Sequence, residues 1–162
     1  FEIETTDSFV MKSSGPDGKP APVLVGHFMA SQNAPDPNTL GPQPGDAGTG
    51  DPAFLLAAPE AQWLERYVFL TPSMYAFNYV TVVAAQGASV TLDGKQLAPD
   101  YWTKVGDDFM WARLFVAEGR HEVIANQPVA VEVYGWDQYV SYGYPAGLKL
   151  GDLGFFNGAV GP

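Results

Sequence analysis

From residue 63 to residue 145 apolar side chains recur at every second position, in short runs cut by Gly-containing turns, and no stretch keeps a helical period. Successive side chains of an extended chain point to opposite faces, so this spacing gives strands with one apolar and one polar side. WLERYVFLT (63–71), NYVTVVAA (78–85), ASVTLDG (88–94), DFMWARLFVAEG (108–119) and RHEVIAN (120–126) all read as strands. The run 128–145 alternates Val129, Val131 and Val133 against Ala130, Glu132 and Tyr134. Continued, this alternation sets Trp136 beside Gln138 and Val140, with Tyr139 on the opposite face. Asp93-Gly94 marks a tight hairpin, because both residues tolerate positive φ. Glu118-Gly119 is expected to turn 108–119 back onto 120–126. Strands at this spacing, with no strand–helix–strand rhythm, predict an all-β fold, an antiparallel β-sandwich of jelly-roll-like type. Helix is limited to a turn or two near 53–63. Val80, Val82, Val90, Leu92, Leu114, Val116, Val123, Val131 and Val133 are the expected core.

The first third is less regular. Phe1 and Ile3, then Phe9 and Met11, suggest two half-buried strands. A turn-rich stretch at 15–22 precedes VLVGHFMASQ (23–32), whose apolar start predicts a central strand. Residues 33–52 carry five prolines and no apolar period, and read as a long surface loop. The whole of 1–162 is read as one β-sandwich module. Its opening at Phe1, without Met or a charged-then-apolar leader, reads as a mature or excised piece.

Charge and composition exclude several function classes. A net charge of −10 with only 8 Lys plus Arg leaves no basic patch for nucleic acid or for anionic lipid. No apolar run is long enough for membrane insertion as a helix. The absence of Cys removes disulfides, thiolate chemistry and Cys-based metal centres.

Three stretches resemble the IgG Fc-binding protein N-terminal domain family: GDPAFLLAAPEAQWLERYVFLTP (50–72), NYVTVVAAQGASVTLDGK (78–95) and VYGWDQYVSYGYPAGLKL (133–150). PVLVGHFMASQ (22–32) is also similar. The resemblance spans 22–150. It includes secreted or surface proteins of bacteria and a segment of an animal mucus glycoprotein. It implies an extracellular or cell-surface β module with an adhesive or matrix-building role, forming the C-terminal part of a longer domain of that family.

No compact catalytic constellation is present, so the chain is read as no enzyme, without cofactor or metal. His27 and His121 lack the spacing of a metal pair, and a hydrogen-bonded structural role is expected for each. No G-x-S-x-G frames a serine, and Ser141 reads as a strand residue. Asp93 reads as a turn residue. The oxygen-rich loop with Asp36, Asn38, Asp46, Thr49 and Asp51 could hold Ca²⁺, but it lacks the closing Glu of an EF-hand. The favoured site is aromatic. Trp136, Tyr139, Tyr142 and Tyr144 fall within nine residues, and such rings offer large contact area with a polar handle. They are read as binding a protein or glycan ligand, against the plainer reading of packing within the sheet. The leading function is adhesion or surface and matrix binding. The alternative is a self-assembling subunit of an extracellular filament or surface layer, with residues 1–11 as a donor arm for other copies.

Overall fold

The computed structural model describes residues 2–3, 5, 7–21, 23–29 and 50–150. Among them the fold is all-β, with no α-helix. The strands are β1 (Gly26–Phe28), β2 (Phe54–Leu56), β3 (Leu64–Thr71), β4 (Phe77–Ala85), β5 (Val90–Leu92), β6 (Lys95–Gln96), β7 (Thr103–Val105), β8 (Phe109–Phe115), β9 (Gly119–Asp137) and β10 (Val140–Pro145). Single 3₁₀ turns occupy Glu60–Gln62, inside the expected window, and Pro99–Tyr101, outside it. Every strand pair is antiparallel.

The architecture turns on β9. One of its edges carries β3 and then β10, while the other carries β5 and then β4, because Val129 lies opposite Leu64 on one side and Ala84 on the other. Gln127 and Pro128 have no ladder partner on either edge, while the Asn126 N–H still donates to the Ser89 carbonyl. Pro128 offers no N–H there, so it fits a bend better than a ladder. On the β3 side the register slips between Leu64, opposite Val129, and Arg66, opposite Ile124. The Tyr67 hydroxyl mends this gap: it donates to the Val129 carbonyl at 2.5 Å and accepts from the Leu64 N–H at 2.9 Å. Burial pushes the Tyr67 phenol up, against the Leu64 contact.

The sheet thereby curls over on itself. Tyr67 and Phe69 of β3, Val90 of β5, and Val123 and Ala125 of β9 share one buried cluster with Val80, Val82 and Ala84 of β4, Ala112 and Leu114 of β8, and the later β9 residues Val129, Val131 and Val133. The first layer is thus β3, β5, β6 and the start of β9; the second is β4, β7, β8, β10 and the rest of β9. Of the expected core, only Leu92 is half-exposed. Asp93 and Gly94, at φ 50° and 76°, form the two-residue loop between β5 and β6 as expected.

Several expectations are corrected. The described residues of 23–32 hold no central strand. Only Gly26–Phe28 pairs, with β2 alone, in a separate two-stranded ribbon whose β1 residues are exposed. Gly26 and the polar His27 interrupt the apolar run, and a strand buried on both sides cannot absorb that. The described residues of 1–11 form no strand. The segments 108–119 and 120–126 are not a hairpin: β8 pairs with β4 and β7, and the chain crosses to the other layer before Gly119, where φ is 120°. Nor is 128–145 one strand. It completes β9 and then reverses at Gln138-Tyr139, with Val140 opposite Asp137. Tyr139 sits at this reversal with φ 54°. The 33–52 loop, with its proposed calcium ligands Asp36, Asn38, Asp46 and Thr49, lies outside the described residues except for 50–52.

Candidate functional site

Antiparallel register fixes what shares the outer face of the second layer. Inward positions of β4, β8 and β9 are filled mainly by small or branched apolar residues, with Asn78 of β4 and Met110 of β8 as exceptions. The intervening outward positions are Phe77, Tyr79, Thr81 and Val83 on β4, Phe109, Trp111, Arg113 and Phe115 on β8, and Ala130, Glu132, Tyr134 and Trp136 on β9. Arg113, Thr81 and Glu132 lie side by side and form a polar row across three strands. That row divides the face into an aromatic end and an end overlaid by other parts of the chain.

At the aromatic end five rings touch. Tyr79 stacks on Trp136 at 5.0 Å and on Tyr134 at 5.7 Å, and meets Phe115 edge-on at 5.6 Å. Phe77 lies 6.1 Å from Trp136. The Arg113 guanidinium stands 5.9 Å above the Tyr79 ring, within cation–π range. Phe115 is 62% exposed, and Phe77, Tyr79, Tyr134 and Trp136 are half-buried. The Trp136 indole N–H is buried with no hydrogen-bond partner among the described residues. A buried donor without a partner calls for an explanation, since most find one.

The four sequence-predicted aromatics do not act together. Trp136 joins the outer cluster. Tyr142 and Tyr144 pair with Gly135 and Val133 and pack against the core on the opposite side. Their hydroxyls are committed: Tyr142 donates to the Asn78 side-chain oxygen at 2.5 Å, and Tyr144 donates to the Leu70 carbonyl of β3. Burial pushes both phenols up; for Tyr142 the neighbouring Tyr144 and Tyr75 add to the effect, and for Tyr144 the Leu70 contact opposes it. Tyr139 is exposed at the hairpin tip. Phe77, Tyr79, Phe115 and Tyr134 were missed. The signal for them was present, since each alternates with a core residue on its own strand, but only strand register shows that they converge.

The β1–β2 ribbon lies beside this cluster. Leu55 occupies the space a side chain at residue 143 would fill, so Gly143 is the seat of the ribbon. Gly50 donates its N–H to the Asp137 carbonyl, and Asp51 donates its N–H to the Ser141 hydroxyl, tying the chain before β2 to the β9–β10 hairpin. His27 reaches over the polar row, its Nδ1 3.7 Å from Glu132. The Glu132 carboxylate, by contact and by charge, holds His27 above the ordinary imidazole value although burial pulls the other way.

His121 is remote from this face and buried. Its Nδ1 lies 2.7 Å from Asp93 Oδ2 and its Nε2 lies 2.8 Å from the Ala117 carbonyl, which pins the hairpin turn to β9. Burial pushes the Asp93 carboxyl up, but hydrogen bonds from His121 and the Glu122 N–H, with the nearby His121 and Arg120 charges, outweigh it and leave Asp93 below the usual carboxylate value. Among the described residues no three His, Cys, Asp or Glu side chains converge as a metal-ligand set. No helix there is long and apolar enough to cross a membrane.

A family model described as IgGFc binding protein matches residues 1–135. The match takes in the N-terminal segment, which the sequence resemblance had left out, and stops at Gly135, before the part of that resemblance read at 136–150. Nothing among curated proteins or solved structures matches the chain.

Proposed function

Because the chain belongs to the IgGFc-binding family, we propose that it is an extracellular, non-catalytic module that holds a protein partner through the aromatic end of its outer face, in adhesion or in binding at a surface or matrix. The observation that carries this reading is the cluster of Phe77, Tyr79, Phe115, Tyr134 and Trp136 beside Arg113. Tyr, Trp and Arg are the side chains that dominate binding energy at protein interfaces, because they combine large apolar area with a directed donor.

The test uses two exposed members of the cluster and a control. Phe115→Ser and Arg113→Ala should each weaken binding at least tenfold while leaving the melting temperature near that of the parent. Val68→Ser, on the outer face of the other layer, should change neither. Immobilised IgG Fc is the first ligand to try, because the family description names it, followed by a panel of purified extracellular glycoproteins measured by biolayer interferometry. Binding that survives both cluster substitutions and fails with Val68→Ser would place the contact elsewhere.

A second reading is a self-assembling subunit of an extracellular filament or surface layer. It is favoured by β3, which among the described strands pairs only with β9 and so leaves its other edge open to another chain. The donor is less suited to residues 1–11, since 7–12 lie along the outer face of their own sheet. A sedimentation series that stays monomeric at high concentration would remove this reading and leave the first untouched.

A further inference from the structure

The end of the outer face opposite the aromatic cluster is roofed by residues 7–12, 23–27 and 57–60, and a cavity of about 460 Å³ remains between roof and sheet. That volume lies in the range of small-molecule sites, roughly 300–1,000 Å³. Its floor is apolar: Val83, Phe109, Trp111 and Ala130, with Val25 and Trp63 at the sides. The Trp111 indole N–H has no hydrogen-bond partner among the described residues, but it is closed off from the cavity. The charged residues of the lining are Glu132, Glu60 and Asp7 against Lys12, with His27 beside Glu132.

Strand register fixes where the charge lies. Glu132 is opposite Thr81, two residues along from the Val83–Ala130 pair of the apolar floor. We infer that this cavity binds a small organic amine with an apolar ring or short chain, its ammonium at Glu132. An apolar body matches the floor. A cation matches three carboxylates set against one Lys and a titrating His, whereas an anion is repelled.

His27 makes the site pH-dependent. Protonated, it sits 3.7 Å from Glu132 and competes for it; neutral, it leaves the carboxylate to the ligand. The groups facing His27 around the cavity are Glu132, Glu60, Asp7 and Lys12, and of these Glu132 is the one that contacts it. Amine affinity therefore rises as pH climbs through the raised His27 value.

Two matched probes decide the matter. Phenethylamine carries the amine on an apolar body, and 3-phenylpropionate replaces the amine by a carboxylate. Amide-resolved NMR titration should show phenethylamine shifting residues 83, 111 and 130, and the carboxylate not binding. Phenethylamine should bind several-fold better at pH 8 than at pH 5. Glu132→Gln should abolish the preference for amine over carboxylate and the pH dependence together. Equal binding of both probes, shifts confined to other residues, or no binding overturns the inference. None of these readouts involves the aromatic end, so they stand or fall apart from the partner-binding reading.

Discussion

The two faces of the second layer are built on the same three strands and could hardly differ more. Inward, Val80, Val82, Ala84, Ala112, Val129 and Val133 are all fully buried. Outward, the alternate residues of the same strands include the half-buried rings of Phe77, Tyr79, Phe109, Trp111, Tyr134 and Trp136 and the exposed Phe115, with two indole N–H groups lacking partners among the described residues. Two layers packed face to face share a fixed spacing, and the small and β-branched residues of β4, β8 and β9 interdigitate there with the Tyr67 and Phe69 rings of β3. On the outer side no second sheet sets the spacing, so large amphipathic rings are admitted. The inner face therefore specifies the fold, and the outer face is left free to specify contact.

Substitution should separate the faces by size of effect. Val82→Asp puts a charge among apolar neighbours without a partner and should cost about 4 kcal/mol or more, enough to unfold a marginal domain, as circular dichroism would report. Survival of a folded Val82→Asp protein would break the comparison at its strongest point. Tyr67→Phe keeps the inner volume but removes the hydroxyl that bridges Leu64 and Val129 at the bend of β9. It should cost about 1–3 kcal/mol in a denaturant melt.

A smaller effect belongs to Asp93, the partner of the buried His121. Its carboxyl is held below the usual value in the folded state, so its contribution is present above roughly pH 4, the unfolded value, and is lost as pH falls through the lower folded value. Asp93→Asn should flatten the acid limb of stability against pH between about 2 and 5. An unchanged limb would mean that other carboxylates carry it. The smallest stability effect is expected for Phe115→Ser on the outer face, within about 0.5 kcal/mol. A large loss there would show that the outer cluster is itself structural.

The inner face was legible because burial on one side imposes period two on the sequence. Val80 and Val82, or Val131 and Val133, announce themselves. Pairing was less legible, for local reasons. Asn126-Gln127-Pro128 looks like a terminator, yet β9 runs through it because Asn126 is held by Ser89 and the bend leaves Gln127 and Pro128 without ladder partners to lose. Glu118-Gly119 looks like a hairpin turn, yet the chain there passes from one layer to the other, and a turn signal does not say which layer follows. The β1–β2 ribbon joins two three-residue strands far apart in sequence, and strands that short carry almost no periodicity. Of the aromatic residues read together in the sequence, Trp136 lies on the outer face, while the reversal at Tyr139 turns Tyr142 and Tyr144 toward the core, because sequence proximity does not carry across a hairpin tip.

The passage of β9 through both layers has a mechanical meaning. Two plates held only by side-chain packing can slide or part at their interface, with each plate intact. Here a single backbone crosses from one to the other, and pulling on its two ends loads the ladders of β3 and β5 in one layer and of β4 and β10 in the other at the same time. Under tension the layers cannot fail in turn: force on β9 must shear antiparallel ladders along their length, as in a seam stitched on both sides. A module of this build is expected to resist being drawn out of shape up to one abrupt yield point, because β3, β4, β5 and β10 are all laddered to that one thread.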